Sequence, residues 1–219
     1  QEEFAELVPS GVVSSKRVSQ LVCKPIARSD LLQREQLRSW FKEVRAIDSP
    51  IVSALVQVLL LTGARKSEIL QLKWDDVDFR WKSLTIRDKA SSHGGLNGQR
   101  VIPMTPYVEK LIVELPRRND WVFSSNRSAS GRLIDPRTQY SRALEQAELV
   151  GITLHGLRRS FSTLSEWIEA PAGVIAQIMG HKPSAIAEKH YRVRSLDLLR
   201  MWHERIERWM LSEANVSFK

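Results

Sequence analysis

Apolar positions along the chain recur mostly at helical spacing, with one strand-like stretch near the middle. Behind Asp30, read as an N-cap, Leu37, Trp40, Phe41 and Val44 fall on one helical face. Ser49-Pro50 opens a second helix, with proline at the first helical position, where its missing N–H costs nothing. The run Ile51 to Leu61 is apolar nearly all round, broken only by Ser53 and Gln57. It predicts a buried helix that Gly63 ends as a C-cap. A short helix is expected over Ser67 to Leu72, and strands over Ser83 to Ile86 and Arg100 to Ile102. Between the strands, Asp88 to Gln99 is rich in Gly, Ser and Asn and reads as a long hairpin loop. Thr105-Pro106 opens a helix that runs to about Leu115, and Trp121 to Phe123 reads as a short strand. Further helix starts lie near Pro136, Leu154, Pro171, Ser184 and Ser195. The last helix, about residues 195–212, carries Leu199, Trp202, Ile206 and Trp209 as one apolar stripe, suited to the core or to a neighbouring subunit. The pattern as a whole predicts a mostly α fold with a small antiparallel β-sheet.

Composition narrows this picture. The 219 residues fit one full domain with an appendage, or two small domains, and 42% are apolar, enough for a core. No run of 18 apolar residues exists to span a bilayer, and no secretory signal pattern opens the chain. Residues 1–24 read as a leader or interdomain linker, and the start at Gln1 rather than Met suggests a piece of a longer protein. The single cysteine, Cys23, excludes a disulfide framework and a zinc site built of cysteine pairs, and points to a reducing compartment. A net charge of +8 favours polyanionic partners, chiefly nucleic acid.

Four segments carry candidate chemistry: Thr62-Gly63-Ala64-Arg65-Lys66-Ser67-Glu68-Ile69, Leu154-His155-Gly156-Leu157-Arg158, Met179-Gly180-His181, and Tyr191. Each alone is ordinary: a helix end, a surface pair, a C-cap with a histidine beside it, a packed aromatic. Their order and spacing together resemble the tyrosine recombinase (phage integrase) family. The stretch His155-Gly-Leu-Arg-Arg-Ser-Phe-Ser-Thr and the segment Trp74-Asp75-Asp76-Val77 add to the likeness, which covers roughly residues 28 to 200. Arg159 stands where the family commonly has His. Residues 1–24 are too short to supply the N-terminal helical domain that family members usually carry.

The resemblance implies the family's catalytic-domain fold over residues 25–219, and site-specific DNA strand exchange for integration and excision of a mobile element. Its implied site is Arg65, Lys89, His155, Arg158, His181 and Tyr191, with Lys82 as second choice for the lysine. The chemistry suits these residue types. A phenol has a pKa of about 10, and nearby cations favour its nucleophilic phenolate. Arg65 and Arg158 remain charged and can each bond two phosphate oxygens as charge builds there. Lys89, its pKa lowered among other cations, can protonate the departing 5′ oxygen. His155 and His181 can hydrogen-bond the phosphate or assist proton transfer.

A zinc site at His155, His181 and His190 is disfavoured, because their spacing is no ligand motif and the arginines repel a cation. Lys182, Lys189, Arg192 and Arg194 read as phosphate-backbone contacts or a solvated face. No cofactor is required. The expected partners are double-stranded DNA, further copies of the chain in a tetramer on DNA, and accessory DNA-bending proteins, all in the cytoplasm. Three alternatives stay open: a type IB topoisomerase-like enzyme, a DNA-binding module with a decayed active site, and a metal-dependent nuclease.

Overall fold

Ser49 and Gly63 bracket a buried helix against which five of the other described helices pack. The computed structural model describes residues 30–87, 98–149, 151–181 and 194–218. Helix α1, Leu37–Arg45, follows a 3-10 turn over Arg34–Gln36, and α2 spans Pro50–Thr62. The Ser49 hydroxyl accepts from the Val52 amide, Pro50 occupies the first turn, and Gly63 closes the helix at φ +60°. Every residue of α2 from Ile51 to Thr62 is buried, as its all-round apolar pattern requires. The two polar breaks in that pattern act as ties. Ser53 donates to the Val44 carbonyl at the end of α1 (2.8 Å), and Gln57 accepts from the Tyr107 hydroxyl (2.7 Å).

After α2 come α3 (Lys66–Leu70), a 3-10 turn (Trp74–Asp76), and strands β1 (Val77–Asp78), β2 (Ser83–Arg87) and β3 (Gln99–Pro103). The strands form one antiparallel sheet in the order β1-β2-β3, with Leu84 opposite Ile102 and Arg87 opposite Gln99. The remaining helices are α4 (Pro106–Val113), α5 (Arg137–Gln146), α6 (Leu154–Ser165), α7 (Ala172–Met179) and α8 (Leu196–Glu213). The expected strand at Trp121 to Phe123 is replaced by isolated bridges, Lys73 with Trp121 and Ser124 with Arg132. Asp30 does not cap α1; its carboxylate turns to Thr153 and Arg159 instead. The helix expected near Ser184 and the leader over residues 1–24 lie outside the described residues.

Helix α8 closes the core against β3, α1 and α7. Its inward line is Leu199, His203, Ile206, Glu207, Met210 and Leu211. Of the expected apolar stripe, Leu199 and Ile206 are core residues, whereas Trp202 and Trp209 are only half-buried, and Trp209 stacks on Trp167. Two polar residues take the inward positions because helix ends await them. His203 donates through Nε2 to the Leu61 carbonyl at the end of α2 (2.8 Å). Glu207 accepts from the Tyr107 and Val108 amides (2.9 and 3.2 Å) and the Thr105 hydroxyl, capping α4 from across the core. Among the described residues, no helix is long and apolar enough to cross a membrane.

Candidate active site

Two helices end on left-handed glycines, and each hands the chain to a candidate residue. Gly63 ends α2, and Arg65 follows as the N-cap of α3; Gly180 ends α7 at φ +74°, and His181 follows. A side chain at Gly63 would place Cβ 2.5 Å from the Phe161 ring, and one at Gly180 would meet the Arg100 guanidinium at 2.8 Å. The left-handed backbone favours glycine at both positions, and at Gly63 the Phe161 ring leaves no space for a side chain. Helix C-termini leave carbonyls without partners inside the helix. Arg158, on α6, meets both ends: its Nη1 donates to the Gly63 carbonyl (2.6 Å) and the Met179 carbonyl (2.8 Å). Only 4% of Arg158 is exposed. The negative ends of two helices offset the cost of burying its charge.

Helix α6 starts at Thr153, whose hydroxyl accepts from the Gly156 amide (2.9 Å). His155 and Arg158, three apart, share one side of this helix. The backbone of Asp30 crosses directly over Gly156, where an added Cβ would lie 1.9 Å from the Asp30 carbonyl oxygen. Asp30 then accepts from Thr153 (2.5 Å) and from Arg159. Burial opposes ionisation of this carboxyl, but those hydrogen bonds and the Arg159 charge hold it below the ordinary carboxylate range. Arg159 thus fastens the start of the described chain to α6.

Burial lowers the pKa of His155, and Arg159, Arg158 and Arg65 lower it further against a weaker opposing effect of Asp30. Burial lowers that of His181 as well, followed by Arg158, Arg65 and Arg100. Both imidazoles therefore favour the neutral form and sit in the field of the same arginines.

Glu68 organises those arginines. It is 4% exposed and lies in the first turn of α3. One of its oxygens accepts from the Arg65 amide (2.9 Å) and Arg100 Nη2 (2.7 Å), the other from Arg65 Nη1 (2.6 Å). The cluster opens into a cleft of about 720 Å³ whose walls include Arg65, Lys66, Arg137, Tyr140, His155 and Arg158. A concave, cationic site with two neutral imidazoles is suited to an anion that gains charge during reaction.

The structure brings Arg65, His155, Arg158 and His181 together from three separate segments. Lys89, Tyr191 and His190 lie outside the described residues. Lys82 lies before β2, at the far end from Arg87, on the β1–β2 turn, where it pairs with Glu109 of α4. Arg87, at the base of the hairpin that leads to Lys89, is held by Asp76, which accepts from its Nε (3.0 Å) and Nη2 (2.6 Å). Arg194 is tied to α7 by Gln177, which donates to its carbonyl (3.0 Å) and accepts from its amide (3.2 Å). Among the described residues, no group of three or more His, Cys, Asp or Glu is placed to hold a metal ion.

Sequence reasoning assigned no part to Glu68 or Arg100. The signal for Glu68 was the acidic residue three after the N-cap position, the spacing of a capping box. Arg100 gave no local signal, because both of its described partners are distant in sequence.

The model of the phage integrase family matches residues 31–195. Prophage integrase IntF of Escherichia coli (strain K12) is 52% identical over 229 aligned residues, covering 100% of this chain and 47% of that protein. Tyrosine recombinase XerA of Pyrococcus furiosus is 30% identical, covering 73% of this chain and 54% of that protein. The chain thus spans about half the length of these curated relatives. Among solved structures, a lambda integrase dimer bound to a COC' core site superposes with a TM-score of 0.60 at 15% identity, covering 89% of this chain and 71% of that one, which shows the shared fold. With the family model covering most of the chain and a relative at 52% identity, the chain belongs to the phage integrase family, the tyrosine recombinases.

Proposed function

We propose that this chain is the catalytic part of a site-specific recombinase that cuts and rejoins DNA through Tyr191, for integration and excision of a mobile element. The observation that carries the proposal is the meeting of Arg65, Arg158 and His155 in the walls of one cleft, with His181 in the field of the same two arginines. In this reading the two arginines bind the non-bridging oxygens of the scissile phosphate. Tyr191 gives its phenol proton to a neutral imidazole, His155 or His181, and its oxygen attacks phosphorus, forming a 3′-phosphotyrosyl bond as the bond to the 5′ oxygen breaks. Lys89 gives that oxygen its proton, and the other imidazole hydrogen-bonds the phosphate. In the reverse step the 5′ hydroxyl attacks the phosphotyrosine and returns its proton to Lys89, while the imidazolium returns the phenol proton to the departing Tyr191 oxygen. No bond energy is lost, so ligation requires no ATP.

The prophage integrase relative supports the mobile-element reading, and the DNA-bound lambda integrase dimer supports duplex DNA as partner and assembly of more than one copy on it. Action in the cytoplasm belongs to the same reading. Residues 1–24 fit a linker to a further DNA-binding domain. The test is incubation of the full-length protein with supercoiled plasmids with and without its attachment site, with EDTA present. Site-dependent joining of two duplexes that persists in EDTA and is lost in Tyr191→Phe supports the proposal. Site-independent relaxation would instead reveal a topoisomerase-like enzyme. Loss of activity in EDTA would reveal a nuclease, and tight binding without any strand cleavage a decayed module.

A further inference from the structure

Arg100 reaches three parts of the site at once. It stands on β3 opposite Ile86, next to the Arg87–Gln99 pair at the base of the β2–β3 hairpin. Its side chain is 12% exposed. One edge of the guanidinium donates through Nε to the Ile178 carbonyl in the last turn of α7 (3.1 Å), and Nη2 donates to Glu68 (2.7 Å). The guanidinium lies against Gly180, immediately before His181, where an added Cβ would come within 2.8 Å of it. Through Glu68 it is one carboxylate away from the Arg65 guanidinium.

We propose that Arg100 is a positioning residue for strand cleavage, a clamp that fixes Arg65, His181 and the root of the β2–β3 hairpin in a single geometry. The inference rests on the recombinase reading above. A buried arginine can do this because its donors point in fixed directions, so one side chain bonds a helix-end carbonyl and a carboxylate together. A lysine in its place keeps the charge but has one point of attachment. Arg100 also contributes to the field that holds His181 neutral, together with Arg158 and Arg65. Misplacement of reacting groups by about 1 Å costs on the order of 100-fold in rate.

The test uses full-length protein with Arg100→Lys and Arg100→Met, and three readouts: duplex binding, the single-turnover rate of covalent adduct formation on a nicked duplex, and the NMR titration of His181. The clamp predicts adduct formation slower by about 100-fold in both variants, with DNA affinity within about three-fold of wild type. It also predicts a higher His181 pKa in Arg100→Met than in Arg100→Lys, because only the methionine removes a neighbouring cation. Arg100→Lys at wild-type rate overturns the proposal, since charge alone would then suffice. If Arg100→Met does not fold, Arg100→Lys carries the test. If wild-type protein forms no adduct, the recombinase reading fails on its own account. The His181 titration still decides the coupling, and an unmoved pKa in Arg100→Met overturns it.

Discussion

Substituting Glu68 by glutamine removes one charge and almost no volume, which isolates what the carboxylate does. Among the described residues its two oxygens accept from the Arg65 amide and Arg100 Nη2 on one and from Arg65 Nη1 on the other. Whichever way a glutamine amide turns, its NH2 faces at least one of those donors. At least one hydrogen bond to a charged group is then lost, worth about 1.5–3 kcal/mol. The larger effect is that two guanidiniums lose their shared counter-charge. Breaking a buried ion pair costs about 3–5 kcal/mol. The Arg65 side chain is 44% exposed, so solvent screens its share, whereas Arg100 at 12% and Glu68 at 3% are screened little. The expected destabilisation is about 3 kcal/mol, equivalent to roughly 6–12 °C in melting temperature for a chain of this size. Equilibrium urea unfolding of wild type and Glu68→Gln at neutral pH measures it. A difference below about 0.5 kcal/mol, the scale of an ordinary surface substitution, would refute the argument that this carboxylate holds the arginines.

Two further predictions follow from the buried positions. Burial holds His203 down to about 4, against 6.5 in the unfolded chain. Between those values the unfolded chain takes up a proton that the folded one does not, so this residue's stability is complete above pH 6.5 and falls as the pH drops, by roughly 3 kcal/mol at pH 4. Urea unfolding of wild type and His203→Gln across this range should show a shallower acid loss in the variant, and parallel curves would contradict the assignment. Gly156→Ala forces a methyl group into the Asp30 carbonyl, at 1.9 Å before any relaxation. It should destabilise by about 1–3 kcal/mol or more and make the backbone at Asp30 more susceptible to protease, while wild-type stability and cleavage pattern would count against the close crossing.

The parts of the fold that were legible in the sequence are those fixed by local chemistry. Ser49, Pro50 and Gly63 bound α2 because caps and a first-turn proline act within a few residues. Thr153 and Ser195 cap α6 and α8 in the same way, next to the expected starts. Asp30 had the right residue type for a cap, yet its partners are Thr153 and Arg159, 123 and 129 residues away. The stripe on α8 was legible in part: Leu199 and Ile206 are core residues and Trp202 and Trp209 pack against the core, but hydropathy gave no sign of His203 and Glu207. His203 and Glu207 are nonetheless the buried pair, since the ends of α2 and α4 supply their hydrogen bonds. In the candidate site, motif spacing located Arg65, His155, Arg158 and His181 without saying how they meet. Their meeting depends on Arg158 bridging two helix ends and on Glu68 joining two arginines, contacts across 95, 21 and 32 residues that no local pattern carries.

Whether Tyr191 bonds covalently to the 3′ phosphate that these arginines bind can be read from the adduct itself. The full-length protein is trapped on a nicked attachment-site duplex, digested with nuclease and protease, and the nucleotidyl-peptide is sequenced by mass spectrometry. The expected product is a nucleotide joined through its 3′ phosphate to Tyr191, with no such peptide from Arg158→Ala. A nucleotide on any other residue, a 5′ linkage, or no adduct on a verified site would contradict the covalent role of Tyr191.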